Sequence, residues 1–157
     1  MKRTFLCVFL LIWATACTGP GTRTFLGVER ASKAMQAALD GKPTLPQFRE
    51  LLSVYSMELT GIRARVANAR EQAVLKEYDA ALKGLTDMQL VWEAKESRGS
   101  DMLPIREELP ARIAREYELG INTNEPPSIY ADEALQAIWK AARGHLRAAS
   151  QSLGLGP

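Results

Sequence analysis

Cysteine and histidine are scarce in this sequence, which holds two cysteines and one histidine in 157 residues. Structural zinc sites cluster these ligands, and covalent haem attachment needs a Cys-x-x-Cys-His motif that is missing here. Also missing are the His-Glu-x-x-His zinc motif, the Gly-x-Ser-x-Gly nucleophile elbow, the P-loop and the dinucleotide-binding glycine pattern. We therefore expect no metal, no cofactor and no catalytic residues, and the sequence does not indicate an enzyme.

An excess of charge of either sign is missing too. The chain has 20 basic and 18 acidic residues, a formal net charge of +2. Nucleic-acid binding requires a clear basic excess on one face, so no nucleic-acid partner is expected. With 46% hydrophobic and 24% charged residues, the composition is that of one globular domain large enough to bury a core.

Long hydrophobic runs are limited to one, the ten residues from Thr4 to Trp13. This run is well below the roughly 20 residues that cross a bilayer. It follows a basic tip, Met1-Lys2-Arg3, and precedes the small residues at 14–16. A basic start, a short apolar run and small residues at a cleavage point are typical of an export signal.

The end of this segment, Ala14-Thr15-Ala16-Cys17, resembles the lipobox of bacterial lipoproteins, with Ala14 where leucine is commonest. The resemblance covers only this segment. It implies that residues 1–16 are a signal peptide cleaved just before Cys17, and that Cys17 carries the lipid. Residues 17–23 then form the lipidated cysteine and a flexible tether. Two alternatives are an ordinary secretory signal cleaved after the same Ala-x-Ala sequence and a retained signal anchor.

Cleavage at this point would change the character of the chain. Removing residues 1–16 takes away Lys2, Arg3 and Cys7 and no acidic residue, leaving equal numbers of basic and acidic side chains. With Cys17 lipidated no free thiol remains, so stability would come from packing without a disulfide. Thr18 is not the acidic retention signal that enteric inner-membrane lipoproteins carry. We therefore expect a lipid anchor in the bacterial cell envelope, at the outer membrane and facing the periplasm.

The remainder of the chain has the period of helices. Apolar residues recur every three or four positions over 24–39, 45–97 and 128–153, and prolines flank a shorter helix at 110–119. Ser128 is predicted to cap the last helix. No stretch alternates apolar and polar residues long enough to predict a sheet. The prediction is an all-α fold, a small bundle of about four main helices over residues 24–153, with a frayed tail at 154–157.

The segment 45–97 holds two unbroken seams of apolar residues, 45–69 and 75–92, that would point in nearly opposite directions on one straight helix. The chain either reverses near Asn68–Gln72 to form a helical hairpin, or continues as one long helix with partners on two sides. The hairpin is favoured because it packs both seams together.

Several polar and aromatic residues could have either a functional or a structural role. His145 and Met35 occur in the order of the haem-ligand pair of some four-helix bundles. The predicted helices place them at different levels along the bundle axis, so His145 is interpreted as a residue at the edge of the apolar stripe of its helix.

The acidic pairs 107/108, 116/118 and 132/133 are interpreted as solvent-exposed surface residues. The basic stretch Arg63, Arg65 and Arg70 is read as a salt-bridged surface, with anionic headgroups as the alternative. Most tyrosines and tryptophans are assigned to the core, and the rest to an exposed groove or patch.

The sequence thus predicts an envelope lipoprotein that acts by contact, as a structural, adaptor or inhibitory protein with an envelope partner not identified by the sequence. The first alternative is a carrier or sensor that holds a small apolar ligand between its helices. The second is an enzyme acting on the cell wall.

Overall fold

The computed structural model describes residues 23–155. The predicted signal peptide, Cys17, the tether up to residue 22 and the last two residues lie outside the described residues. Within 23–155 no helix is both long and apolar enough to cross a membrane. The elements, in chain order, are α1 (Leu26–Asp40), α2 (Leu45–Arg63), α3 (Ala69–Arg98), β1 (Met102–Pro104), α4 (Glu108–Glu116), β2 (Ser128–Tyr130) and α5 (Ala131–Ser152). The predicted all-α fold is confirmed.

The turn between α1 and α2 is set by local residues. Lys42 adopts the left-handed conformation with a φ of 55°, and Pro43 prevents the helix from continuing. Thr44 then opens α2 with a capping box, in which its own backbone N–H donates to Gln47 Oε1 at 2.9 Å. The two helices therefore lie antiparallel with a short connection.

The predicted hairpin over 45–97 is confirmed. α2 ends at Arg63, and Asn68 caps α3 by accepting a hydrogen bond from the Glu71 backbone N–H at 2.9 Å. The reversal therefore falls at residues 64–68, slightly before the predicted position. Two ion pairs join the antiparallel helices, Arg63 with Asp79 near the turn and Arg49 with Glu93 near the far end.

α3 lies between two partners, α2 and α5, and packs most extensively on α5. The predicted stripe of α2 is buried, from Leu45 to Ile62. On α3, however, the core side is rotated from the predicted seam, so Leu75, Leu82 and Trp92 are only partly buried. A helix packed on two sides buries a wide arc of its surface. The buried residues of α3 are Val74, Tyr78, Ala81, Gly84, Leu85, Asp87, Met88 and Val91.

A two-stranded antiparallel sheet precedes α5, which corrects the expectation of no strand. β1 pairs with β2 in a register that places Leu103 opposite Ile129, and both side chains are buried. Each strand has three residues, too few for an alternating pattern to be visible. The pair closes the long segment between α3 and α5 against the bundle.

Ser128 lies in β2 and does not cap the last helix, contrary to the prediction. The helix begins three residues later, and Asp101 satisfies its first N–H groups. The Asp101 backbone carbonyl accepts from Ala131 N–H at 2.7 Å, and its carboxylate accepts from Asp132 N–H at 3.0 Å. A cap supplied from a residue distant in sequence leaves no local signature at the helix start.

Candidate functional site

A cleft lined mainly by polar and charged residues lies between α1 and α5. Its volume is about 510 Å³, within the range of small-molecule sites. The lining residues from α1 are Glu29, Lys33 and Gln36, and those from α5 and the residues after it are Arg143, Arg147, Ser150, Gln151 and Leu155. Ligand sites in helical bundles are commonly built from side chains on facing helices in this way.

Glu29 is the most deeply placed charge of the cleft, with only 4% of its surface exposed. Its carboxylate accepts a hydrogen bond from the Tyr78 hydroxyl at 2.7 Å and from the Ser150 hydroxyl at 2.9 and 3.0 Å. Lys33 lies one turn away on α1, with Nζ 3.4 Å from the carboxylate. A buried carboxylate is tolerated only with such partners, so this network ties α1 to both α3 and α5.

Tyr78 is suited to act as a permanent donor in this network. Burial raises its pKa well above the ordinary range, and the hydrogen bond to Glu29 raises it further. Burial likewise raises the pKa of Tyr55, whose hydroxyl donates to the backbone carbonyl of Tyr78 at 3.0 Å. Both phenols therefore keep their protons at any physiological pH, and the floor of the cleft is held in a fixed hydrogen-bonded arrangement.

Arg143 and Arg147 line the α5 side, one helical turn apart. Arg143 lies 5.9 Å from the centroid of the Trp139 ring, a cation–π arrangement. Its Nε is buried and has no hydrogen-bond partner among the described residues. Both arginines also line an adjoining cavity of about 440 Å³ that includes Trp139 and Lys140. The cationic surface therefore continues from the cleft along α5.

A second buried carboxylate, Asp87 on α3, belongs to a different network. It accepts hydrogen bonds from Arg112 at 2.7 Å, from the Tyr117 hydroxyl at 2.9 Å and from Lys83 at 3.1 Å. Burial acts to raise the pKa of Asp87, but these donors outweigh it, and the pKa lies below its usual range. Glu116 completes the network by pairing with Arg112 and Lys83. This cluster holds α4 on α3, and we read it as structural.

The acidic pairs singled out in the sequence do not converge on one site. In each pair one acid faces a cation: Glu107 pairs with Arg98, Asp132 with Lys95, and Glu116 with Lys83 of the Asp87 network.

His145 Nδ1 lies 2.8 Å from Glu77 on α3, at a partly exposed position. Among residues 23–155 there is no group of three or more histidine, cysteine or acidic residues placed to hold a metal ion.

The basic stretch of residues 63–70 is only partly salt-bridged. Arg63 pairs with Asp79, whereas Arg65 donates to the Gly61 carbonyl and Arg70 to the Ser152 carbonyl. Within the described part of the chain, Arg65 and Arg70 form no ion pair, and both are exposed. Arg70 thereby links the start of α3 to the end of α5, at the same end of the bundle where α1 begins.

Of the aromatic residues, Tyr55 and Tyr78 are fully buried, and Trp92, Trp139 and Tyr117 are packed against the core while remaining partly accessible. Tyr130 is 38% exposed. Core packing therefore accounts for most of the aromatic residues, as the sequence indicates, and Trp139 is the one that borders the cationic surface of α5.

Sequence reasoning missed the cleft itself. None of its charged residues, Glu29, Lys33, Arg143 and Arg147, was predicted to have a functional role. The available signal was a glutamate inside the apolar stripe of α1, between Val28 and Ala31. Since Tyr78 and Ser150 are far from Glu29 in sequence, their meeting depends on the packing of three helices.

The chain was compared with protein-family models, and none matches. Comparisons with curated proteins and with solved structures also give no match.

Proposed function

We propose that this chain is a bacterial envelope lipoprotein, held on a membrane by acyl groups on Cys17, whose helical domain acts by contact with another envelope component. The observation that carries the proposal is the sequence Ala14-Thr15-Ala16-Cys17 at the end of a short export signal. Several acyl chains, each buried CH₂ contributing about 0.8 kcal/mol, anchor a protein far more firmly than a single myristoyl chain. The expected place is the periplasmic face of the outer membrane.

The few residues between Cys17 and the start of α1 at Leu26 support a short tether. The segment from Cys17 to Arg23 spans at most about 20 Å when fully extended. The domain would therefore stay close to the bilayer, with the end that carries the start of α1 nearest to it. Arg65 and Arg70 are exposed at this end, and arginines near a bilayer are attracted to anionic headgroups. Anchoring also raises the effective concentration of the domain near other envelope components.

The ion pairs and the unpaired cations of the described residues support the contact role. In each acidic pair that could serve a cell-wall hydrolase, one acid instead forms an ion pair with arginine or lysine. The cleft between α1 and α5 presents the charges of Lys33, Arg143 and Arg147, which favour a ligand with an anionic group over a wholly apolar one. A non-enzymatic interaction protein, structural, adaptor-like or inhibitory, is therefore the function we put forward.

The anchor is tested by metabolic labelling with a palmitate analogue in a bacterial host that expresses the chain with its own leader. The wild-type chain and the Cys7→Ser variant should both carry the label, whereas Cys17→Ser should not. Cys7→Ser is the matched control because it removes the other cysteine of the chain. Label that persists in Cys17→Ser, or is missing from the wild type, contradicts the anchor.

The contact role is tested by photocrosslinking in living cells from exposed positions on different faces of the bundle. We expect neighbouring positions on one face to capture the same partner, and the Cys17→Ser variant to lose this capture while staying folded. If no position captures a consistent partner and a small molecule co-purifies instead, the contact role is wrong and the ligand carrier replaces it.

A further inference from the structure

We propose that the cleft between α1 and α5 binds a phosphate group, with Arg143, Arg147 and Lys33 as its cationic ligands. This site goes beyond the lipid anchor and does not depend on it. It rests on the geometry of the cleft, on the pairing of its charges and on one unpartnered guanidinium nitrogen.

The cations of the cleft exceed its anions. Lys33 forms an ion pair with Glu29, whereas Arg143 and Arg147 take part in none of the salt bridges among residues 23–155. These two arginines lie one turn apart on α5, where like charges repel each other. An anionic phosphate group placed between their guanidinium groups would offset this repulsion with attraction.

Glu29 does not occupy this position. Its carboxylate is almost wholly buried and already accepts hydrogen bonds from Tyr78 and Ser150. Its part is to fix the floor of the cleft and to hold Lys33 at the edge. The anion is therefore placed toward the open side, beside the two arginines.

The unpartnered Nε of Arg143 points to an oxyanion. Arginine binds phosphate and carboxylate through pairs of parallel N–H groups, often including Nε. A buried donor without an acceptor is costly, and a rotation of the Arg143 side chain toward the cleft would bring Nε to a phosphate oxygen. The Trp139 ring, 5.9 Å from the guanidinium carbon, holds this side chain from the other side.

The size of the cleft indicates more than inorganic phosphate alone. About 510 Å³ accommodates a phosphate ester with a small polar substituent, for which Gln36, Ser150 and Gln151 offer hydrogen bonds. Leu155 adds an apolar contact at the end of α5. This chemistry is shared by a soluble phosphate ester and by a phospholipid headgroup, and the experiment separates the two sources.

The test uses Trp139 as an internal reporter. In the full-length chain, the substitutions Trp13→Phe and Trp92→Phe leave Trp139 as the sole tryptophan. Inorganic phosphate and glycerol phosphate are titrated into the detergent-purified protein at constant ionic strength, with fluorescence as the first readout and phosphorus NMR line width as the second. We expect saturable binding, weakened at least about tenfold by Arg143→Gln or Arg147→Gln, because each removes charge-assisted hydrogen bonds.

Arg115→Gln is the matched control, since Arg115 is an exposed arginine on α4 outside the cleft. Circular dichroism verifies that each variant is folded. The proposal is overturned if neither inorganic phosphate, glycerol phosphate nor phosphatidylglycerol liposomes produce a response, or if Arg115→Gln weakens binding as much as the two cleft substitutions. Repeating the titration with Cys17→Ser tests phosphate binding independently of the proposed lipid anchor.

The second arm identifies the source of the phosphate. The protein is reconstituted into phosphatidylcholine liposomes with or without phosphatidylglycerol. A response to phosphatidylglycerol that Arg143→Gln abolishes, without a response to glycerol phosphate, assigns a lipid headgroup. A response to glycerol phosphate assigns a soluble ester. Either result, if the arginine substitutions weaken it, supports the cleft as the phosphate site. The proposal is refuted if the response to phosphatidylglycerol survives both arginine substitutions and no soluble probe binds.

Discussion

Removal of the Tyr78 hydroxyl is the sharpest test of the buried network beneath the cleft. In Tyr78→Phe, Glu29 keeps Ser150 and Lys33 but loses its shortest hydrogen bond, 2.7 Å from a neutral donor to a buried carboxylate. Hydrogen bonds to charged groups contribute about 1.5–3 kcal/mol. Since the carboxylate stays buried, we expect the free energy of unfolding to fall by about 2 kcal/mol.

Tyr55→Phe is the matched control because it removes the same atom from an equally buried ring. Its hydroxyl donates to the Tyr78 carbonyl at 3.0 Å, and that carbonyl lies inside α3, where a backbone N–H also serves it. The expected loss is about 1 kcal/mol, as for a neutral hydrogen bond. The two substitutions therefore differ in the charge of the acceptor.

The assay is equilibrium unfolding in urea, followed by circular dichroism, of the chain from residue 17 with Cys17 replaced by serine. A loss of 2 kcal/mol lowers the urea midpoint by about 1 M at a typical slope. A Tyr78→Phe variant no less stable than Tyr55→Phe would refute the assignment of Glu29 as a charged, buried acceptor. Combining Tyr78→Phe with Ser150→Ala should give non-additive losses, since both donors share one carboxylate.

Three further predictions concern packing, pH and capping. A Cβ on Gly84 would lie 3.2 Å from Ala142 Cβ between α3 and α5, so Gly84→Val should cost about 1–3 kcal/mol by overpacking; Gly144→Ala on α5 meets nothing within 4 Å and should stabilise by about 0.5–1 kcal/mol in the same unfolding assay. Because the folded pKa of Asp87 is depressed, its stabilisation is present above the unfolded pKa of about 3.9 and is lost as pH falls through the lower folded value. Asp87→Asn should thus flatten the acid limb of stability against pH, and a limb as steep as that of the wild type would refute the network. Thr44→Ala removes the cap of α2 and should cost about 1 kcal/mol, whereas Thr60→Ala, at an exposed position in the last turn of the same helix, should cost less; equal losses would contradict the cap.

A helix that makes its contacts through one narrow stripe was predictable from the sequence, and a helix with a wide buried arc was not. α2 contacts both α1 and α3, but it does so through the single apolar stripe that its spacing indicates. α3 has α2 on one side and α5 on the other, so its buried arc is wider than one heptad seam and is centred elsewhere. The start of α5 was misplaced because Asp101, distant in sequence, supplies its cap.

The candidate site depends almost wholly on tertiary structure. Glu29 accepts a hydrogen bond from Ser150, which lies 121 residues further along the chain. Arg143 contacts Trp139 on its own helix but faces α1 across the cleft. No local sequence pattern predicts such long-range contacts, because hydrophobic periodicity indicates only which side of a helix is apolar. Conversely, the proposed anchor at Cys17 rests on a local sequence pattern alone.

The N-terminal peptide of the purified protein tests the central claim most directly. After expression with the native leader, mass spectrometry should find a chain that begins at Cys17 and carries a diacylglycerol on the sulfur and an acyl group on the new amine. A chain that begins at Thr18 or elsewhere, or a Cys17 with a free thiol, would contradict the account of where this protein resides and how it acts.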